Sequence, residues 1–115
     1  MLALSSSCRY FLYDKPTDMR FGINALSGLV HNKLGFDPMN GDVFIFIGKR
    51  GNQIRLLQWD KDGFALYIKK LERGTFERPA LTGTVITSAQ LSLLLQGVRL
   101  ESVRYRTRYT PLKRA

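Results

Sequence analysis

Apolar residues fill every position of Val43-Phe44-Ile45-Phe46-Ile47. An extended segment alternates its side chains between two faces, so an unbroken apolar run predicts a central strand covered on both sides. Two further runs, Ile54 to Trp59 and Phe64 to Leu71, are rich in β-branched and aromatic residues and are separated by Asp60-Lys61-Asp62-Gly63. Asp and Gly tolerate the positive φ of a tight turn, so this cluster predicts a β-hairpin with the positive φ at Gly63. Lys49-Arg50-Gly51-Asn52 supplies the preceding turn, and the three runs together read as an antiparallel meander.

Upstream, Arg9 to Tyr13 reads as a short strand ended by Asp14-Lys15-Pro16. Met19, Ile23, Leu26, Val30 and Leu34 then recur at spacings of three and four, which predicts an amphipathic helix to Leu34. Thr17 or Asp18 is its expected N-cap, and Gly35 is expected to close it in a left-handed conformation. Gly22 and Gly28, both costly inside a helix, predict close packing against a strand. Downstream, Gly83 to Ile86 predicts one more short strand, and Thr87 with Gln90 forms a capping box. Leu91, Leu94, Leu95 and Val98 give the buried stripe of a short second helix that Gly97 ends. The expected fold class is therefore α+β: an antiparallel β-meander of three to five strands, one long helix packed on it, and a short C-terminal helix. Residues 1–8 read as a flexible leader, 9–100 as a single α+β domain, and 101–115 as a basic Arg/Tyr tail that is extended or disordered.

Several separated blocks carry a family resemblance: Thr17-Asp18-Met19-Arg20, Phe44-Ile45-Phe46 leading into Lys49-Arg50, Trp59-Asp60-Lys61-Asp62-Gly63, and Lys69-Lys70-Leu71-Glu72-Arg73-Gly74-Thr75-Phe76. Their order from about Tyr10 to about Val98 resembles the small accessory protein (Orf-two, also called TnpB) of bacterial IS-sixty-six-type insertion sequences. Lys69-Lys70 stands where that pattern has Lys-Arg, Arg78 stands before Pro79 where an aromatic is common, and the chain after Leu100 lies outside it. The resemblance implies a protein that assists DNA transposition beside a separate, larger transposase. It implies no reaction and carries over no catalytic residue.

Charge narrows the choice of partner. The 115 residues hold 18 Lys and Arg against 9 Asp and Glu, a net charge of +9. Such a field attracts polyanions or acidic proteins. Hydrophobic content of 44% excludes a wholly disordered chain, and no apolar run approaches the length of a membrane span. The first seven residues lack the basic lead-in of a signal peptide, so a cytoplasmic protein is expected. One cysteine, Cys8, and one histidine, His31, make neither an internal disulfide nor an ordinary zinc site. No metal or cofactor is expected.

Among the carboxylates, Asp60 and Asp62, with Asp42 and Glu72, would be the magnesium ligands of a nuclease, but Asp before Gly is what a hairpin turn demands. Nucleophilic catalysis has no support, and the expected protein is not an enzyme. The basic candidates are stronger. Lys49, Arg50, Arg55, Lys69, Lys70 and Arg73 lie on elements that a meander gathers toward one end of the sheet, where they form a nucleic-acid patch or remain solvated charges. Trp59 and Phe64 read as core aromatics or as base-stacking rings, and Arg20 as the salt-bridge partner of Asp18 or of a strand carboxylate rather than as a phosphate contact. In the tail, Arg104, Arg106 and Arg108 alternate with Tyr105 and Tyr109. That arm either tracks a nucleic-acid backbone, forms an edge strand, or is disordered. The expected function is a non-enzymatic accessory factor of transposition that binds DNA, the transposase, or both. A pure protein adaptor and, further off, a metal-dependent nuclease are the alternatives.

Overall fold

The computed structural model describes residues 7–78 and 84–96. Five strands form one sheet in the order β4-β3-β2-β1-β5. They are β1 (Tyr10–Leu12), β2 (Val43–Ile47), β3 (Gln53–Asp60), β4 (Gly63–Lys70) and β5 (Val85–Ile86). One helix, α1 (Ile23–Leu29), continues as a π-helical turn over Val30–Leu34, and α2 spans Ser88–Gln96.

β2 is the middle strand and is buried along its whole length. Its alternation divides the apolar side chains between two cores. Phe44 and Phe46 join Phe11, Tyr13, Leu57, Leu26 and Val30 on the α1 face. Val43, Ile45 and Ile47 join Tyr10, Leu12, Ile54, Leu56, Leu91 and Leu94 on the α2 face. The sheet thus needs a helix on each side, which is why the central run is apolar throughout. Gly35, at φ 73, closes the π-helical turn by donating its amide to Val30 O. That reversal returns Phe36 onto Phe11, with ring centroids 4.3 Å apart.

The α+β class and the meander β2-β3-β4 stand, but the sheet is mixed. β1 pairs with β2 in parallel, Tyr10 opposite Val43 and Leu12 opposite Ile45, and antiparallel with β5. A parallel pair requires a crossover connection, and α1 with its π-helical turn is that crossover. Three further expectations change. Gly22, with no side-chain cap, is the N-cap of α1. Thr17 instead bridges in parallel to Gly48 and donates its amide to Ile47 O at 2.9 Å, which extends the β1 to β2 pairing and delays the helix. Around Gly22 and Gly28 an added Cβ would meet nothing within 4 Å, so neither reflects a close approach. The capping box stands: Thr87 N donates to Gln90 Oε1 at 2.8 Å and Gln90 N to Thr87 Oγ1 at 3.0 Å. Arg104, Arg106 and Arg108, the leader to Ser6, Gly83, Gly97 and Val98 lie outside the described residues.

The hairpin between β3 and β4 places its positive φ differently from expectation. Asp60 opposes Gly63 as the last pair of the ladder, leaving Lys61 and Asp62 as the loop. Lys61 has φ 60, while Gly63 is not among the residues of positive φ. Asp62 N donates to Asp60 O at 2.6 Å around it. Register decides this. Trp59 opposite Phe64 and Leu57 opposite Leu66 share the α1 face, and a one-residue slip would turn both pairs outward. Replacing Lys61 by Gly should therefore stabilise the fold by about 1 kcal/mol, the order of the left-handed penalty on an L residue. Gly63→Val, with open space at its Cβ, should stay within about 0.5 kcal/mol of the parent. Denaturant unfolding of both variants checks the pair, and a large loss confined to Gly63→Val would return the positive φ to that position.

Candidate nucleic-acid interface

The β2 to β3 turn, the start of β3 and the end of β4 meet at one end of the sheet, because Gln53 opposes Lys70 in the β3 to β4 ladder. Against this end lies the Thr17-Asp18-Met19-Arg20 segment, tied down by the Thr17 to Gly48 bridge. Between them is a cavity of 290 Å³ lined by Thr17, Asp18, Met19, Arg20, Gly48, Lys49, Arg50, Asn52, Gln53 and Lys70. Four of those side chains are cationic and one is a carboxylate. Motif blocks far apart in sequence thus form one basic concavity.

Asp18 organises its rim. Arg20 donates its backbone amide to Asp18 Oδ1 at 2.9 Å, Nε to the same oxygen at 3.0 Å, and a terminal nitrogen to Oδ2 at 2.7 Å. Hydrogen bonds from the Arg20 guanidinium and then from the Arg20 amide, with the charges of Arg20 and Lys49 adding, hold the Asp18 carboxyl well below the usual carboxylate range. The guanidinium is raised in turn, chiefly by the same hydrogen bonds. The Arg20 side chain is 90% exposed, and exposed ion pairs add little to stability. What the pair fixes is the orientation of a planar cation. Thr17 is buried, and its hydroxyl has no hydrogen-bond partner.

The other sequence candidates separate. Lys49, Arg50 and Lys70 line the cavity. Lys69 points to the opposite face, where its Nζ donates to Leu95 O at 3.2 Å. Arg55 is half-buried and donates to Phe21 O at 2.6 Å, tying β3 to the segment before α1. Arg73 is exposed and does not line the cavity. Trp59 and Phe64 make an edge-to-face pair, centroids 5.1 Å apart, at the other end of the hairpin with Asp60, Asp62 and Gly63. Roughly six residues of strand, about 20 Å, separate that end from Lys70. Asp42 is engaged by Arg9, whose Nε and a terminal nitrogen donate to Oδ2 at 3.1 and 2.8 Å. Arg78 folds back to donate to Tyr13 O at 2.9 Å, and burial lowers its pKa. Among the described residues no three His, Cys, Asp or Glu side chains converge as a metal site.

Sequence reasoning missed Met19, Gly48, Asn52 and Gln53 as lining residues, and gave Arg20 only its salt bridge. The signal for Gln53 was present, since the hairpin register alone sets it opposite Lys70. Gly48 has a steric role: a Cβ there would lie 2.6 Å from Met19 Cγ. Gly48→Ala should therefore cost about 1–3 kcal/mol by overpacking. The additional change Met19→Ala should remove much of that cost, as a double-mutant cycle on thermal unfolding would measure. Strict additivity of the two changes would contradict the close approach of Met19 to Gly48.

The chain matches the family described as IS66 Orf2 like protein over residues 8–105. It is 35% identical over 100 residues to the uncharacterized protein y4hO of Sinorhizobium fredii (strain NBRC 101917 / NGR234), covering 85% of this chain and 87% of that one. A second protein of that strain, the uncharacterized y4jC, is 33% identical over 115 residues, covering 98% of each. No solved structure matches. The blocks that build the basic cavity all fall within the matched region, and the chain belongs to the IS66 Orf2-like family, whose members are associated with IS66 transposition.

Proposed function

We propose that this protein is a non-enzymatic accessory factor of DNA transposition that holds DNA by the phosphate backbone at the basic end of its sheet, in the cytoplasm and beside the element's transposase. The observation that carries the reading is the cavity where Arg20, Lys49, Arg50 and Lys70 meet. These cations come from three separate segments held together by backbone pairing, so the positions from which they project are fixed before any ligand arrives. A preorganised surface loses less entropy on binding than a tail or a set of solvated side chains. The fate of the carboxylates supports a role without chemistry: Asp18 and Asp42 are held by arginines, and Asp60 and Asp62 flank Lys61 at the hairpin turn.

Fluorescence titration with labelled DNA at two salt concentrations tests this reading. Lys49→Gln, Arg50→Gln and Lys70→Gln should each weaken binding, and every phosphate no longer neutralised should flatten the salt slope by about 0.9 on duplex DNA. Lys69→Gln, on the opposite face, should leave affinity and slope near the parent's. Equal losses from all four would indicate nonspecific charge. Loss only on changing Arg104, Arg106 and Arg108 would place binding on the tail, and a parent that binds no DNA would favour a protein adaptor with an acidic partner.

A further inference from the structure

We infer that the cavity seats one unpaired nucleotide of a DNA strand, its phosphate facing Lys49, Arg50 and Lys70 and its base lying on the guanidinium plane of Arg20. The inference rests on the DNA-binding reading above and sharpens it from backbone attraction to recognition of single-stranded DNA.

A volume of 290 Å³ lies at the lower end of small-ligand pockets, the scale of one nucleotide rather than of a duplex face. A duplex presents its phosphates on a convex surface and would touch only the rim, whereas an unpaired nucleotide can enter.

Arg20 is already engaged. Both edges of its fork toward Asp18 are already in use, Nε at 3.0 Å and a terminal nitrogen at 2.7 Å. Its plane is held, and no aromatic ring among the described residues stacks on it. Arginine planes serve as stacking surfaces for unstacked bases, and a guanidinium fixed by a carboxylate is prepared for that role rather than for clasping a phosphate. The phosphate falls to the three remaining cations, which have no carboxylate salt-bridge partner among the described residues. The Asn52 and Gln53 side-chain amides carry both donors and acceptors, the groups that meet a base edge.

Thr17 lines the cavity, and its buried hydroxyl lacks a hydrogen-bond partner. A buried hydroxyl without a partner destabilises the free protein, and a polar group of a ligand is what would satisfy it.

The test uses the full chain, a fluorescent single-stranded oligodeoxynucleotide, and the same oligonucleotide annealed to its complement. The parent should bind the single strand more tightly than the duplex. Arg20→Lys keeps the charge and removes the plane, so its single-strand affinity should fall about tenfold, the order of one base-stacking interaction, whereas its duplex affinity, which draws only on the charge, should fall far less at an unchanged melting temperature. Thr17→Val should melt at the same or a higher temperature yet bind the single strand less tightly, a combination that a purely structural threonine would not produce. Single-strand affinity unchanged in both variants, or a parent that prefers duplex, would overturn the inference while leaving the basic surface as a DNA-binding face. A parent that binds neither probe would overturn both readings.

Discussion

Burial of β2 on both faces is the constraint on which the rest of this molecule depends. Phe44, Ile45 and Phe46 are each 0% exposed, and each side chain so buried is worth about 1.5–3 kcal/mol in apolar transfer alone. That burial requires a helix on each side of the sheet. It also fixes the register of β3 against β2, and of β4 against β3, because any slip would turn apolar residues toward water. The basic cavity is a consequence. Lys49 and Arg50 end up where β2 must stop, and Lys70 ends up opposite Gln53 because the Trp59 to Phe64 pair sets the hairpin at its far end.

Much of this was legible in the sequence. A five-residue apolar run of β-branched and aromatic residues bounded by turn clusters read as a central strand, those clusters divided the meander, and Thr87 with Gln90 announced the start of α2. The parallel β1 to β2 pairing was less visible, since β1 has only three residues and its partner lies beyond a helix. A helix flanked by two strands was nevertheless the pattern of a crossover, and reading Thr17 as a helix cap obscured it. Threonine suits both an N-cap and a strand; the bridge to Gly48 decided between them. Placing the positive φ on Gly63 followed residue preference, whereas the ladder register put it on Lys61.

The candidate site was legible in part for the same reasons. Counting charges along a meander found Lys49, Arg50 and Lys70, but it could not separate Lys70 from Lys69, which differ only in the face they occupy. Nor could it bring Arg20 to them, because that requires the Thr17 segment to lie against the end of β2. Arg55 illustrates the opposite error: a basic residue on a strand looks like a ligand-binding group until its guanidinium is found bound to the Phe21 carbonyl. The Trp59-Asp60-Lys61-Asp62-Gly63 block sets the sheet register at a distance from the cavity, so it acts here through geometry.

Nuclear magnetic resonance of the labelled protein, titrated with a short single-stranded oligodeoxynucleotide, locates the bound strand residue by residue. Amide shifts should concentrate at Thr17 to Arg20, Gly48 to Gln53 and Lys70, and leave Trp59 to Phe64 unmoved. Shifts confined to the Asp60 turn or to Arg104, Arg106 and Arg108 would contradict that placement.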